Sequence, residues 1–202
     1  TGGRSVAIGR AALGSQNNDA SNYNTAVGYD AGTNVTIGKK NNLFGGEAGD
    51  SLTTGNNNIA MGYGALGSED TGSRNVAIGQ SALSSLNFNG NGYNIAIGHN
   101  TGLNLLTGVQ NTLIGAQAGD AITTGSNNIV IGQGAAASAV DVSNEVNLYN
   151  GSVVARFQGS ASAWTFVSDE RDKSDIEDLE LGTEFINKLK PRKFKWNHRS
   201  TD

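Results

Sequence analysis

Side chains able to do chemistry are sparse in this sequence, and their spacing narrows what they can do. Three Gly-x-Gly runs, Gly62-Tyr63-Gly64, Gly90-Asn91-Gly92 and Gly132-Gln133-Gly134, look like fragments of nucleotide loops. None is followed by a helical pattern or a charged partner at the spacing a phosphate site needs, so nucleotide binding is not expected. Gln16-Asn17-Asn18-Asp19 offers oxygen atoms of the kind that ligate calcium, but an exposed polar insertion is the simpler reading. His99 and His198 lie far apart and cysteine is absent, so no metal site, thiolate chemistry or disulfide is expected. No carboxylate pair in the solenoid-like stretch 1–149 stands in the context of an acid–base couple, which leaves a glycosidase nothing to rest on. No cofactor is implied.

One column of residues does recur at a fixed place. Arg10, Tyr29, Gly46, Tyr63, Gln80, His99, Ala116 and Gln133 each follow the first glycine of a repeated unit. The place varies and accepts large polar groups, so it faces solvent. Tyr29, Tyr63 and His99 are therefore the candidate receptor-binding residues, the tyrosine rings being suited to stacking on saccharides.

The unit that positions them is a short repeat. Ser5-Val6-Ala7-Ile8-Gly9 recurs as Asn24-Thr25-Ala26-Val27-Gly28, Asn41-Asn42-Leu43-Phe44-Gly45 and Asn58-Ile59-Ala60-Met61-Gly62, and again from Asn75, Asn94, Asn111 and Asn128. The steps between successive starts are 19, 17, 17, 17, 19, 17 and 17, and a degenerate ninth copy begins at Glu145. Each copy opens with three mostly apolar residues ending at Gly, which reads as a short strand meeting a turn. An Ala follows three residues later, with Thr101 the one exception, then a second apolar point at Val35, Leu52, Leu86, Leu105 or Ile122, and most copies close with Gly. Each repeat reads as one coil of two short strands and two turns, stacked on the next as a β-solenoid. The Asn opening each coil reads as a ladder of stacked amides.

The first strand is apolar on both faces. Its outer positions carry Val6/Ile8, Val76/Ile78 and Ile95/Ile97; the central one carries Ala7, Ala26, Leu43, Ala60, Ala77, Ala96, Leu113 and Val130. A strand apolar on both sides is covered on both sides. One face fills the coil, and the small, mostly Ala face is expected to meet another copy of the chain, with closed cyclic symmetry.

Composition agrees with a repetitive β protein. There are 29 glycines, 25 asparagines and one proline in 202 residues, unlike collagen, and regular apolar clusters argue against disorder. No stretch approaches the roughly 20 apolar residues of a membrane helix, so no membrane insertion is expected. Residues 1–163 hold only 6 basic side chains, too few for a nucleic-acid patch. The stretch 164–202 carries more than half of all the charged side chains and the only proline, which marks a second module. The chain opens at Thr1 with neither an initiator Met nor a signal-like segment, which reads as a piece of a longer protein.

The Ser5–Gly9 motif and its following Ala resemble the repeats in the heads of trimeric autotransporter adhesins, which are left-handed parallel β-rolls associated as trimers. The resemblance covers residues 1 to about 150, although the coil here, with its Thr-Gly close, is longer than the adhesin repeat.

After the repeats, Asn150-Gly151 reads as a type I′ turn joining 145–149 to 152–157. Ser168-Asp169-Glu170-Arg171-Asp172-Lys173-Ser174-Asp175-Ile176 follows, then a helix expected over about 183–190, stopped by Pro191, and a strand at Lys193-Phe194-Lys195-Trp196. This stretch resembles the start of the intramolecular chaperone of phage endosialidases, tailspikes and fibres. The resemblance implies a domain that trimerises, templates folding of the β-rich stalk ahead of it, and then cuts itself off. It also implies Ser168 as nucleophile, Lys173 as its general base and Val167–Ser168 as the scissile bond. The chemistry is coherent, because a Ser hydroxyl needs a base and a buried Lys of lowered pKa can be one.

The expected organisation is a solenoid over 1–149, a closing hairpin and linker over 150–167, and the opening of a small α+β chaperone module over 168–202. The expected function is structural: a homotrimeric phage tail fibre that presents a host-attachment surface, with at most a single-turnover self-cleavage as enzymatic activity. The alternatives are a bacterial trimeric surface adhesin and the stalk of a polysaccharide-depolymerising tailspike. Expected partners are further copies of the chain, a host cell-surface glycan or protein receptor, and other virion tail proteins. The corresponding location is the virion tail, or the bacterial surface in the adhesin reading.

Overall fold

The computed structural model describes residues 4–17, 21–158 and the short strand Thr165–Phe166. The chain divides into two units, Thr1–Val167 and Ser168–Asp202, and every described residue belongs to the first.

Eight three-residue strands mark the coils: β1 (Val6–Ile8), β2 (Thr25–Val27), β3 (Asn42–Phe44), β4 (Ile59–Met61), β5 (Val76–Ile78), β6 (Ile95–Ile97), β7 (Thr112–Ile114) and β8 (Ile129–Ile131). Each pairs in parallel with the next, repeat on repeat without slippage, so that Ala77 faces Ala96 and Leu113 faces Val130. The ninth copy, β9 (Glu145–Tyr149), joins the same stack through Val146, Asn147 and Leu148. At about 4.8 Å per parallel strand the coils rise about 40 Å. The described residues form an all-β parallel β-solenoid, with no helix among them.

β9 then turns back as an antiparallel hairpin with β10 (Val154–Gln158), and β11 (Thr165–Phe166) adds a further antiparallel strand. The turn is not the two-residue connection its Asn-Gly pair suggests. Tyr149 pairs with Val154, so the loop between them runs from Asn150 to Val153. The Asn150 carboxamide oxygen accepts from the N–H groups of Ser152 and Val153, and this side-chain capture widens the loop.

The expected second strand of each coil does not form. Opposite the sheet, adjacent coils are joined by backbone bonds between turns, such as Thr36 N to Thr53 O at 2.9 Å and Thr53 N to Asp70 O at 2.8 Å. That contact is too short for a ladder, and the rest of the coil is turns.

The core is a column one side chain wide. Into it point the central strand residues, the Ala column (Ala31, Ala48, Ala65, Ala82, Ala118) and the far apolar points Val35, Leu52, Leu86, Leu105 and Ile122. From β2 to β8 all of them are 0 % exposed. The face assignment expected from the sequence is therefore inverted. The small central residues are not a contact for another chain: Ala26, Ala60, Ala77 and Ala96 are buried in their own coil. The column is narrow enough that Ala fits most of these places, and Leu43, Leu113 and Val130 stand where the residue six positions on is Gly or Ala.

Side-chain volume is shared between coils on a longer period. The steps 19, 17, 17, 17 occur twice over, so residues 5–74 and 75–144 are two four-coil blocks. In each block the third coil carries Leu on the strand, Leu43 or Leu113. Its methyl groups occupy the space a side chain would need at Gly49 or Gly119, where an added Cβ would lie 2.9 or 2.8 Å from them. In the second coil of the second block both residues are small, Ala96 and Gly102, and Leu83 and Leu113 of the neighbouring coils fill the space. In the first coil of that block the strand residue is Ala77 and the equivalent place holds buried Leu83. Leu13, Leu66 and Leu83 take positive φ there (50, 56 and 50°), because the backbone geometry of the coil is fixed and the side chain is chosen to fill it.

The asparagines hold each coil shut. Asn94 Nδ2 donates to Gly108 O at 2.9 Å in its own coil, and its Oδ1 accepts from Asn111 N at 3.0 Å in the next. Direct amide-to-amide bonds, such as Asn111 Nδ2 to Asn94 Oδ1 at 3.2 Å, complete the ladder. Buried and fully used, these amides are structural and not sugar-binding.

Candidate functional site

Two outward surfaces of the solenoid carry features that the fold alone does not require. The first is the outer face of the sheet. Side chains on either side of each central residue point away from the core, and they form two apolar columns running the length of the stack. Val6, Ile8, Phe44, Met61, Ile95, Ile97, Ile114, Ile129 and Ile131 are between 36 and 59 % exposed. Thr25, Asn42 and Thr112 are the polar members over β1–β8, and no charged residue interrupts the columns. Their exposed area is on the order of 600–700 Å², at or above the largest apolar patch of a typical monomer. At its end, where the hairpin leaves the stack, lies a recess of about 340 Å³ lined by Ile131, Leu148, Tyr149, Asn150, Val153 and Ala155.

The second surface is the corner just after each strand. The chain must turn sharply there, and the glycine at the turn has no alternative. Gly79 takes φ +129°, and a Cβ on it would collide with the carbonyl oxygen of Gly98 one coil on. The next residue projects outward, giving the column of Tyr29, Tyr63 and His99. Tyr29 is 48 % and Tyr63 56 % exposed, and His99 is exposed as well. Arg10 lies over the Tyr29 ring at 5.3 Å and donates to its hydroxyl at 3.1 Å. The edge of the Tyr63 ring overlies Gly46, and a hydrogen bond to the Glu47 carboxylate holds the Tyr63 phenol above its usual pKa. Glu47 and Asp30 in turn act on Asp50, whose carboxyl is raised first by burial and then by these like charges. His99 stands two coils beyond Tyr63 with no aromatic neighbour in its column.

Inside the core three places break the apolar pattern: Thr101 in the Ala column, and Gln16 and Glu69 at the far apolar point. Glu69 occupies the place held by Leu52 and Leu86 in the coils on either side, and it is 0 % exposed. Its carboxylate accepts from Gly72 N at 2.7 Å and Phe88 N at 3.3 Å, and burial pushes its pKa up. Phe88 belongs to one of the two lengthened coils, so Glu69 satisfies an N–H displaced by the insertion. The role is structural.

Of the suggested calcium cluster, Asn18 and Asp19 fall outside the described residues, and Gln16 is turned inward to Ser5 Oγ at 3.0 Å. No group of acidic or histidine side chains able to hold a metal occurs among the described residues. No helix among them is long and apolar enough to cross a membrane. Ser168 and Lys173, with the expected helix and strand that follow, also lie outside the described residues, so their geometry is not part of the site.

Residues 168–202 match the family model described as the chaperone of endosialidase. The searches of curated proteins and of solved structures found no match.

Proposed function

We propose that this chain is a homotrimeric attachment fibre of the phage-tail kind, in which three solenoids pack through their Val/Ile columns and residues 168–202 open the chaperone that assembles them. The observation that carries the reading is the uncharged, two-column apolar face. A stable interface needs about 800 Å² from each partner, and the columns with the recess beyond them approach that area in one continuous strip. A face that meets two identical faces closes on itself, which leaves no strip exposed to water. The match at 168–202 supplies a reason for three copies, since the resembled chaperone acts as a trimer.

The solenoid then serves as a rigid rod whose outer corners are displayed along its length, and a host surface receptor is bound there. The chaperone match begins at Ser168, and the chain divides into its two units between Val167 and Ser168. Both support cleavage before Ser168, by Ser168 with Lys173 as base, in the complete protein. Loss of the template would lock the trimer kinetically.

Cysteine cross-linking tests the packing. Ile97→Cys places a thiol on the shared face, and oxidation is expected to join two chains in each trimer. Gln80→Cys, on the outer corner, is expected to give none. Equal cross-linking at the two positions refutes the interface.

A further inference from the structure

The two four-coil blocks share one backbone plan but differ on the outer corner, and this difference isolates a surface built for a ligand. In the first block the corner column reads Arg10, Tyr29, Gly46, Tyr63, flanked by the carboxylates of Asp30 and Glu47. The same places in the second block read Gln80, His99, Ala116, Gln133, flanked by Asn100 and Gln117. The aromatic rings, the bare glycine between them and the carboxylates beside them are thus exchanged together, while the turn glycines that precede them (Gly28, Gly45 and Gly62; Gly98, Gly115 and Gly132) are kept. A purely structural corner would not need the set, because the second block stacks without it.

Tyr29 and Tyr63 are two coils apart, about 10 Å at the spacing of parallel strands, which is the length of a disaccharide in an extended chain. Only Gly46 lies between them on the column, and the side chain over it is the edge of the Tyr63 ring itself. Arg10 fixes the Tyr29 hydroxyl from one end, and the Tyr63 ring rests its edge on the backbone at Gly46 from the other. Both rings are held before any ligand arrives, which lowers the ordering cost of binding. The apolar C–H face of a pyranose packs on a tyrosine ring, while its hydroxyls donate to carboxylates. Asp30, Glu47 and Asp50 crowd this corner, close enough that the first two add to the burial that already raises the Asp50 carboxyl. A ligand bearing negative charge is repelled there.

We infer that the Tyr29–Gly46–Tyr63 corner is a binding site for a neutral, extended pyranose polymer, and that His99 is not part of it. The inference deepens the attachment reading above and rests on it for its purpose, but its readout is independent of assembly.

The full chain is titrated by calorimetry with cellohexaose and chitohexaose, and with an oligogalacturonate of equal length as the anionic control. Saturable binding of at least one neutral oligomer is expected, one site per chain, with none of the anionic one. Combining Tyr29→His with Tyr63→Gln, the residues the second block already carries, is expected to weaken binding about tenfold or more, since both ring contacts are lost. His99→Ala leaves it unchanged. Grafting the set onto the second block (His99→Tyr, Asn100→Asp, Ala116→Gly, Gln117→Glu, Gln133→Tyr) is expected to give two sites per chain. Light scattering on the same samples reports assembly separately, so intact trimers without sugar binding sink this inference alone. Absence of binding by both neutral oligomers, tighter binding of the anionic one, full affinity in the double variant, or a graft that stays at one site overturns it.

Discussion

Placing a lysine on the sheet separates the two possible assignments of its faces. Ile97 is on the outer column, 38 % exposed in the single chain, and Ala96 beside it is 0 % exposed. Packing three copies would bury on the order of 70 Å² more of each Ile97, about 1.7 kcal/mol per chain at ~25 cal/mol per Å², or about 5 kcal/mol for the trimer. Ile97→Lys forfeits this and adds an unpaired charge in a dry interface, a further several kcal/mol. Separated chains with an intact far-UV spectrum are expected, since the outward side chain touches no core. Ala96→Lys forces an ammonium group into a core one side chain wide and is expected to destroy the β signal itself. Circular dichroism and light scattering on both variants decide the matter. A folded but dissociated Ala96→Lys, or an Ile97→Lys trimer as stable as the parent, refutes the assignment.

Three further outcomes follow from particular residues. The raised pKa of buried Glu69 means the folded state holds this proton more tightly than the unfolded chain. Its contribution is therefore full below about pH 4.3 and is lost as pH rises through the raised value. Relative to Glu69→Gln, the parent should lose melting temperature as pH rises from the unfolded carboxyl range towards neutrality; parallel curves would contradict this. Leu113→Ala should cost about 2–5 kcal/mol through the cavity it leaves. Adding Gly119→Leu, which copies the Ala77 and Leu83 arrangement, should recover part of that in denaturant titrations, and strictly additive losses would refute the shared-volume account. In the complete protein, mass spectrometry should find a new N-terminus at Ser168 that disappears in both Ser168→Ala and Lys173→Ala. A cleaved Ser168→Ala protein would exclude that nucleophile.

The coil was legible because its signals are local: Val/Ile triplets, the turn glycine and the opening Asn repeat in fixed phase, and each reports on its own backbone. Which strand face turns inward was not legible from polarity, since both are apolar. It is settled by the volume that neighbouring coils share: Ala, with Leu or Val in three coils, fills the central place, and the flanking side chains stay outside. The four-coil block was present in the step lengths 19, 17, 17, 17 and in Leu43 and Leu113 recurring in third coils. Its meaning appears only when Leu113 is seen filling the space above Gly119. The hairpin was readable from Asn150-Gly151, but its length was not, because the Asn150 side chain competes for backbone donors. On the outer corner, the exposure of Tyr29 and Tyr63 followed from variability at their place. The tie between Tyr63 and Glu47 did not, because it joins neighbours in space that lie almost a full coil apart along the chain.

Native mass spectrometry of the full chain over a range of concentrations tests the central claim most directly. Three copies of the 20.8 kDa chain should travel together at three times that mass and persist on dilution. A folded species that remains at 20.8 kDa at every concentration would contradict the assembly through the Val/Ile face.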